Sequence, residues 1–248
     1  MTAPPFDTVL QLIDGVEGWL SDDQARALYG AAVRCRPGGR IVEIGSFRGR
    51  SAIVLATAAG TDVEIVAIDP HAGNDRGPQE FEGFQAEAAT DSEVFLGNLR
   101  RAGVLERVTY VREYSHEAHG AVDGPISVLF VDGAHRLRPA LADLRQWGAR
   151  VEDGGTMYVH DSFSSIGVTL ALLRTCLGSP RLRYLGRARS LAIYAVGPVG
   201  PGARISSAMR QVAQLPWFAR NVLIKVLVLA RLGRLTRLLG HRDAAWPY

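Results

Sequence analysis

A rhythm in the chain constrains its fold more than any single motif. Five short apolar runs recur, each rich in β-branched or aromatic residues: RIVEIG (40–45), VEIVAID (63–69), VTYVRE (108–113), SVLFVD (127–132) and GTMYVHD (155–161). Apolar runs of this length predict strands buried on both faces. Helical patterns at 51–59, 92–102, 137–151 and 166–177 lie between or after them, and another at 22–35 precedes them, with Ser21 or Asp22 as its cap. Alternation of this kind predicts a parallel sheet with helices on both faces. The rhythm then breaks. RLRYLGRARSLAIYAVG (181–197) holds two strand patterns joined by a turn at 187–190, with no helix between them, which predicts an antiparallel hairpin. The expected fold class is α/β: a doubly wound, seven-stranded, mostly parallel sheet closed by a C-terminal antiparallel hairpin.

Three units are expected: a helical segment over 1–36, a main domain over 37–198, and a linker with a basic helix over 199–248. The linker is read from GPVGPGA (197–203). Charge follows the same division. Residues 203–248 carry seven Arg and one Lys against one Asp, a net of +7, so the total of +3 leaves −4 for residues 1–202. Such a split points to an interacting tail and away from a nucleic-acid groove on the body. Cys35 and Cys176 form no CxxC pair, and the N-terminus has no signal-peptide pattern. A reduced, cytoplasmic setting is the expectation. No uninterrupted run of 18 apolar residues exists, so a membrane span is not expected.

VEIGSFRGRSA (42–52) turns the first strand into the first helix of the sheet. Ser46-Phe47 breaks the G-x-G-x-x-G pattern of dinucleotide sites. Gly45 and Gly49 suit close backbone approach to a ligand, and Ser51 suits a helix cap. Glu43 would repel a pyrophosphate but welcome a cation such as S-adenosylmethionine. Asp69, 24 residues after Gly45 at the end of the second strand, is placed to take ribose hydroxyls. With Ser46, Ser115 and Asp132 they form the expected cofactor set, Ser115 edging the adenine pocket. A parallel sheet closed by a hairpin is the arrangement of class I methyltransferases.

GVEGWLSDDQARALYGAA, IVEIGSFRGRSAIVLA, AIDPH, VLFVDGAHRLRPALADLRQW and GGTMYVHDS occur in order over residues 15–197. Together they resemble the S-adenosylmethionine-dependent methyltransferase family that includes macrolide sugar O-methyltransferases. The resemblance implies the fold and the cofactor, and leaves the acceptor open.

Asp132 and Asp161 end adjacent strands, and two carboxylates suit Mg2+ better than zinc. The resemblance places metal-ligating acids at such strand ends. It also places the catalytic base in a D-x-x-H pattern, here Asp132 to His135. Ser162 stands where some relatives have a further Asn ligand. His135 is therefore expected to take a proton from an acceptor hydroxyl, with Asp132 and Asp161 holding Mg2+. His160 should point away from Asp161 by strand alternation and play a supporting part. The polar segment 70–85 reads as a lid or a surface loop, with His71, Asp75, Glu80 and Glu82 as candidate contacts; His116 and His119 read as solvent-side.

LPWFARNVLIKVLVLARLGRLTRLLGHR (215–242) is expected to form one basic amphipathic helix with a stripe at Val228, Leu232, Leu235 and Leu239. It would meet the protein body, a second subunit or a membrane surface on the cytoplasmic side. The expected function is Mg2+-assisted O-methylation of a sugar hydroxyl in a glycolipid, polysaccharide or glycosylated natural product. The alternatives are a catechol-like acceptor and a non-catalytic binding module.

Overall fold

The computed structural model describes residues 3–73 and 89–241. Its sheet has seven strands: β1 (Arg40–Ile44), β2 (Glu64–Ile68), β3 (Val108–Val111), β4 (Ile126–Val131), β5 (Val151–Val159), β6 (Leu182–Ala188) and β7 (Leu191–Val196). They lie in the order β3-β2-β1-β4-β5-β7-β6. β1 to β5 run parallel to one another, while β7 runs antiparallel to both β5 and β6. This is the class I methyltransferase fold. The reason is visible in β4, where all six residues are buried and all but Ser127 are apolar: a central strand covered on both faces favours a nearly continuous apolar run.

The helices are α1 (Phe6–Ile13), α2 (Asp22–Arg34), α3 (Arg50–Ala58), α4 (Asp91–Arg101), α5 (Leu137–Gln146), α6 (Ile166–Thr175), α7 (Pro201–Val212) and α8 (Leu215–Leu229). Ser21 starts α2 with a full capping box to Gln24. Gln24 is itself buried and donates through Nε2 to Ser190 Oγ at 2.9 Å, tying the N-terminal helices to the hairpin turn. The apolar core forms two layers. One includes Ile53, Leu55 and Phe95; the other includes Leu129, Trp147 and Tyr194.

Two expected helices end early. The pattern over 137–151 stops at Gln146, and Val151 already pairs in β5. The tail is not one helix over 215–242. α7 precedes α8, α8 ends at Leu229, Arg231 takes φ 59°, and Gly233–Leu239 winds as a 3-10 helix. A period of 3.6 predicts the single helix, whereas RLGRLTRLL (231–239) repeats every three residues, the 3-10 period. Pro201–Leu229 is also apolar and long enough to cross a membrane by length and composition, although its Arg210, Arg220 and Lys225 interrupt any apolar run.

Candidate functional site

A cavity of about 520 Å3 opens beyond the carboxyl ends of β1, β2, β4 and β5, the place where open parallel sheets bind ligands. Its wall includes Gly45, Ser46, Ser51, Asp69, Ser115, Asp132, His135, His160 and Asp161. The loop holding Trp19 forms a further side. Arg50 fixes that loop by donating to the carbonyl oxygens of Ile13, Val16 and Leu20 at 2.8–3.1 Å. Trp19 is 53% exposed and lies 5.3 Å from the Phe47 ring, centroid to centroid.

On the β1–β2 side the groups are held by the backbone. Asp69 Oδ2 accepts the amides of Ser46 and Phe47, both at 2.8 Å, and Oδ1 accepts the His71 amide at 2.7 Å. The carboxylate thus pins the glycine loop as well as facing the cavity. Gly45 has a sharper reason than ligand approach. Its φ is +85°, and a Cβ there would sit 2.2 Å from the Asp132 carbonyl oxygen. Gly49 faces Phe95, with φ +88°, and is not part of the cavity wall.

Ser51 does not cap α3; Gly49 is the N-cap of that helix, with no side-chain cap. Ser51 instead hydrogen-bonds Glu43. Glu43 is fully buried beneath the cavity wall, and Ser46 Oγ donates to its Oε2 at 2.8 Å. Burial pushes its pKa up to about 8, against the Ser51 and Ser46 hydrogen bonds and with help from the charges of Asp132 and Asp69. Its Oε1 has no hydrogen-bond partner, so the carboxyl keeps an acceptor for a cation or a proton.

The β4–β5 side is built from acids and imidazoles. His135 Nε2 lies 2.7 Å from Asp161 Oδ2. Asp132, His135 and Asp161 each offer a ligand atom within 4.8 Å of the others. The His135 backbone is held by α6: Ser165 Oγ donates to its carbonyl at 3.1 Å, and a Cβ on Gly167 would sit 2.1 Å from the same oxygen. Asp161 takes φ 55°, and that turn defeats the alternation expected of His160. β5 has ended at Val159, so His160 does not point away. It is buried, with Nδ1 2.9 Å from Asp132 Oδ1 and 3.6 Å from Asp161 Oδ1. These are close ion-pair contacts without the alignment of hydrogen bonds, and Nε2 has no partner.

Burial opposes a charge on His160, but Asp132 and Asp161 outweigh it and hold the imidazole well above its usual pKa. Burial likewise works against the Asp161 anion, yet His135 and His160 hold its carboxyl well below the usual range. Two carboxylates converging on a buried and a half-buried imidazole fit the donor set of a divalent cation: Asp132 and Asp161 would hold it, with His135 within reach.

Other expectations resolve differently. His71 is committed: its Nε2 donates to the Phe47 carbonyl and its Nδ1 accepts from the Tyr110 hydroxyl, both at 2.6 Å. It lines the cavity as a brace for the glycine loop. Asp75, Glu80 and Glu82 lie outside the described residues. His119 stacks on Trp147 and contacts Gln146, while His116 is exposed at the cavity rim. Ser115 does face the cavity, and it donates to Asp143 Oδ1.

Asp143 is the functional candidate that the sequence reading missed. It is buried on α5 and lines the cavity. Burial pushes its pKa up to about 6, against the Ser115 hydrogen bond and the pull of His116 and His119. An acid between Ala140 and Leu144, on the apolar stripe of an amphipathic helix, was the signal available.

Residues 42–162 match the model of a family described as a methyltransferase domain. These matched residues lie on the class I methyltransferase fold. Among solved structures it is similar to cofactor-bound Rv0187 from MTB: 23% identity, 77% of this chain and 88% of that one, TM-score 0.53. It is similar to the O-methyltransferase TomG from Streptomyces achromogenes, involved in tomaymycin synthesis and solved with S-adenosylmethionine (19%, 77% and 88%, 0.51). It is similar, too, to an O-methyltransferase from Bacillus cereus in complex with S-adenosylhomocysteine (15%, 77% and 90%, 0.51). At these identities the likeness carries the fold of the methyltransferase domain and no acceptor.

Proposed function

We propose that this chain is an S-adenosylmethionine-dependent O-methyltransferase acting on a sugar hydroxyl of a glycolipid, polysaccharide or glycosylated natural product. The observation that carries the reading is the pairing of His135 with Asp161, beside Asp132, in the cavity that also reaches the glycine loop. Residues 37–198 would be the catalytic unit, preceded by a helical segment over 1–36 and followed by a contact-making tail over 199–248.

In this reading the acceptor oxygen attacks the methyl carbon of the sulfonium. The O–C bond forms as the C–S bond breaks, and the sulfonium becomes the thioether of S-adenosylhomocysteine. The acceptor proton passes to His135. Asp161 favours the tautomer with its proton on Nε2, which leaves Nδ1 as the basic nitrogen. Glu43, Gly45, Ser46, Gly49, Ser51, Asp69, Ser115 and Asp132 remain the proposed cofactor set, with Glu43 and Gly49 acting from behind the cavity wall. Ionised Glu43 would favour the cationic donor over its neutral product.

Mg2+ held by Asp132 and Asp161 would supply Lewis acidity that lowers the acceptor hydroxyl's pKa. His160 would keep both carboxylates ionised and in place. Trp19 and Phe47 offer an aromatic wall that suits the apolar face of a sugar ring, and it suits a catechol as well. Acceptor choice is therefore tested with both classes. Labelled methyl transfer to glycolipids, free glycans and catechols, with and without EDTA, should favour a glycan acceptor and fall on chelation. Transfer to catechols alone would overturn the sugar assignment, and full activity after exhaustive chelation would overturn the metal.

A further inference from the structure

The tail helices leave apolar residues outside. α7 packs on the body through the polar Ser207 and Gln211, 2% and 0% exposed, and α8 through Asn221 and Ile224, both 0% exposed, with Trp217 and Phe218 against the core. Ser207 Oγ accepts the Tyr184 amide, the Tyr194 hydroxyl donates to Gln211 Oε1, and Asn221 Nδ2 donates to the Phe163 carbonyl. Aliphatic residues face outward instead: Ile205 is 64% exposed, Met209 68%, Val226 54% and Leu238 84%. That is the reverse of a helix built to face water.

The last segment sorts its residues still further. Three residues per turn place Arg234 and Arg237 on one ridge and Leu235 and Leu238 on the next, with Arg231 and Leu232 in the turn just before them. All six are exposed, while Thr236 is buried and Arg220 Nε donates to the Leu239 carbonyl at 2.7 Å, so a third side faces the protein. Over residues 162–241 the chain has eleven Arg, one Lys and no acid.

We infer that the outer face of α7, α8 and the 3-10 segment is a docking surface for an anionic lipid bilayer. A leucine ridge beside an arginine ridge matches an interface with acyl chains below and negative headgroups above. The helices lie on this surface rather than cross it, since one side of each is hydrogen-bonded to the body. A second copy seated on the same patch would set arginine against arginine with no acid to relieve it. Lys225 of α8 lines the cavity, so docking brings the site beside the bilayer. That bearing on the acceptor rests on the glycolipid reading; the docking surface itself does not.

The test is co-flotation of the full chain with phosphatidylcholine vesicles, with or without phosphatidylglycerol. Capture by the anionic vesicles alone, weakened by salt, is expected. Changing Arg231, Arg234 and Arg237 together to Glu should lower binding by on the order of a hundredfold, about fivefold per arginine. Leu235→Ser with Leu238→Ser should lower it too, both variants keeping the melting temperature and cofactor affinity. Absence of capture by anionic vesicles, or equal capture by neutral ones, overturns the docking surface. Dimerisation lost in the leucine variant, without vesicle binding, overturns it in favour of a second copy. Docking with transfer only to water-soluble acceptors keeps the surface and overturns the glycolipid reading.

Discussion

The two sides of the cavity both carry buried acids, yet they compensate them by different means. Beside β1 and β2, Asp69 is held by three backbone amides and Glu43 by two hydroxyls. Beside β4 and β5, Asp132 and Asp161 are held by His135 and His160. An amide cannot titrate or leave, so the first side is a fixed cradle. An imidazole can lose its proton or yield its place to a metal, so the second side can do chemistry. The division predicts that changes at β4–β5 act on turnover, and changes at β1–β2 act on folding and cofactor affinity.

The largest effect should come from Asp161→Asn, which removes the anion facing both histidines. Turnover should fall on the order of 10^2–10^4-fold while S-adenosylhomocysteine affinity, measured by calorimetry, stays within a few fold. A matching loss of cofactor affinity would erase the distinction between the two sides. Gly45→Ala should act the other way. A Cβ 2.2 Å from the Asp132 carbonyl, at φ +85°, should cost on the order of 3 kcal/mol or more in denaturant unfolding. A stable variant would show that the loop is not wedged against β4.

Glu43 sharpens the comparison through pH. Its folded pKa is raised from 4.5 to about 8, so its neutral form is the one that the fold favours. The stability it contributes is fully present below about pH 4.5 and is lost as pH rises towards and through about 8. The melting temperature of the unliganded protein should drop across that window, and Glu43→Gln should flatten the drop. Binding of the cationic cofactor should strengthen over the same range. Smallest of all, Ser115→Ala should remove one hydrogen bond to Asp143 and weaken cofactor binding by about tenfold or less, with no change in the metal response.

The architecture was legible because burial on both faces leaves a plain mark: β4 is apolar from Ile126 to Val131 except at Ser127, and the missing helix after β6 announces the hairpin. Asp132, His135 and Asp161 could be read as neighbours because strand ends converge in such a sheet. His160 could not, since strand alternation stops where Asp161 turns to positive φ, and that turn has no glycine to flag it. Ser51 looked like a cap because its spacing allowed one, but the buried Glu43 beneath it was the stronger claimant. In the tail, a helical stripe and a three-residue repeat overlap in the same leucines. Only the arginines at 231, 234 and 237 distinguish the periods.

The claim that the β4–β5 cluster activates an acceptor hydroxyl is tested most directly by His135→Ala in single-turnover methyl transfer to a glycolipid acceptor at saturating cofactor. The account predicts a rate at least about a hundredfold lower, with cofactor affinity unchanged. Equal rates for variant and wild type would contradict it.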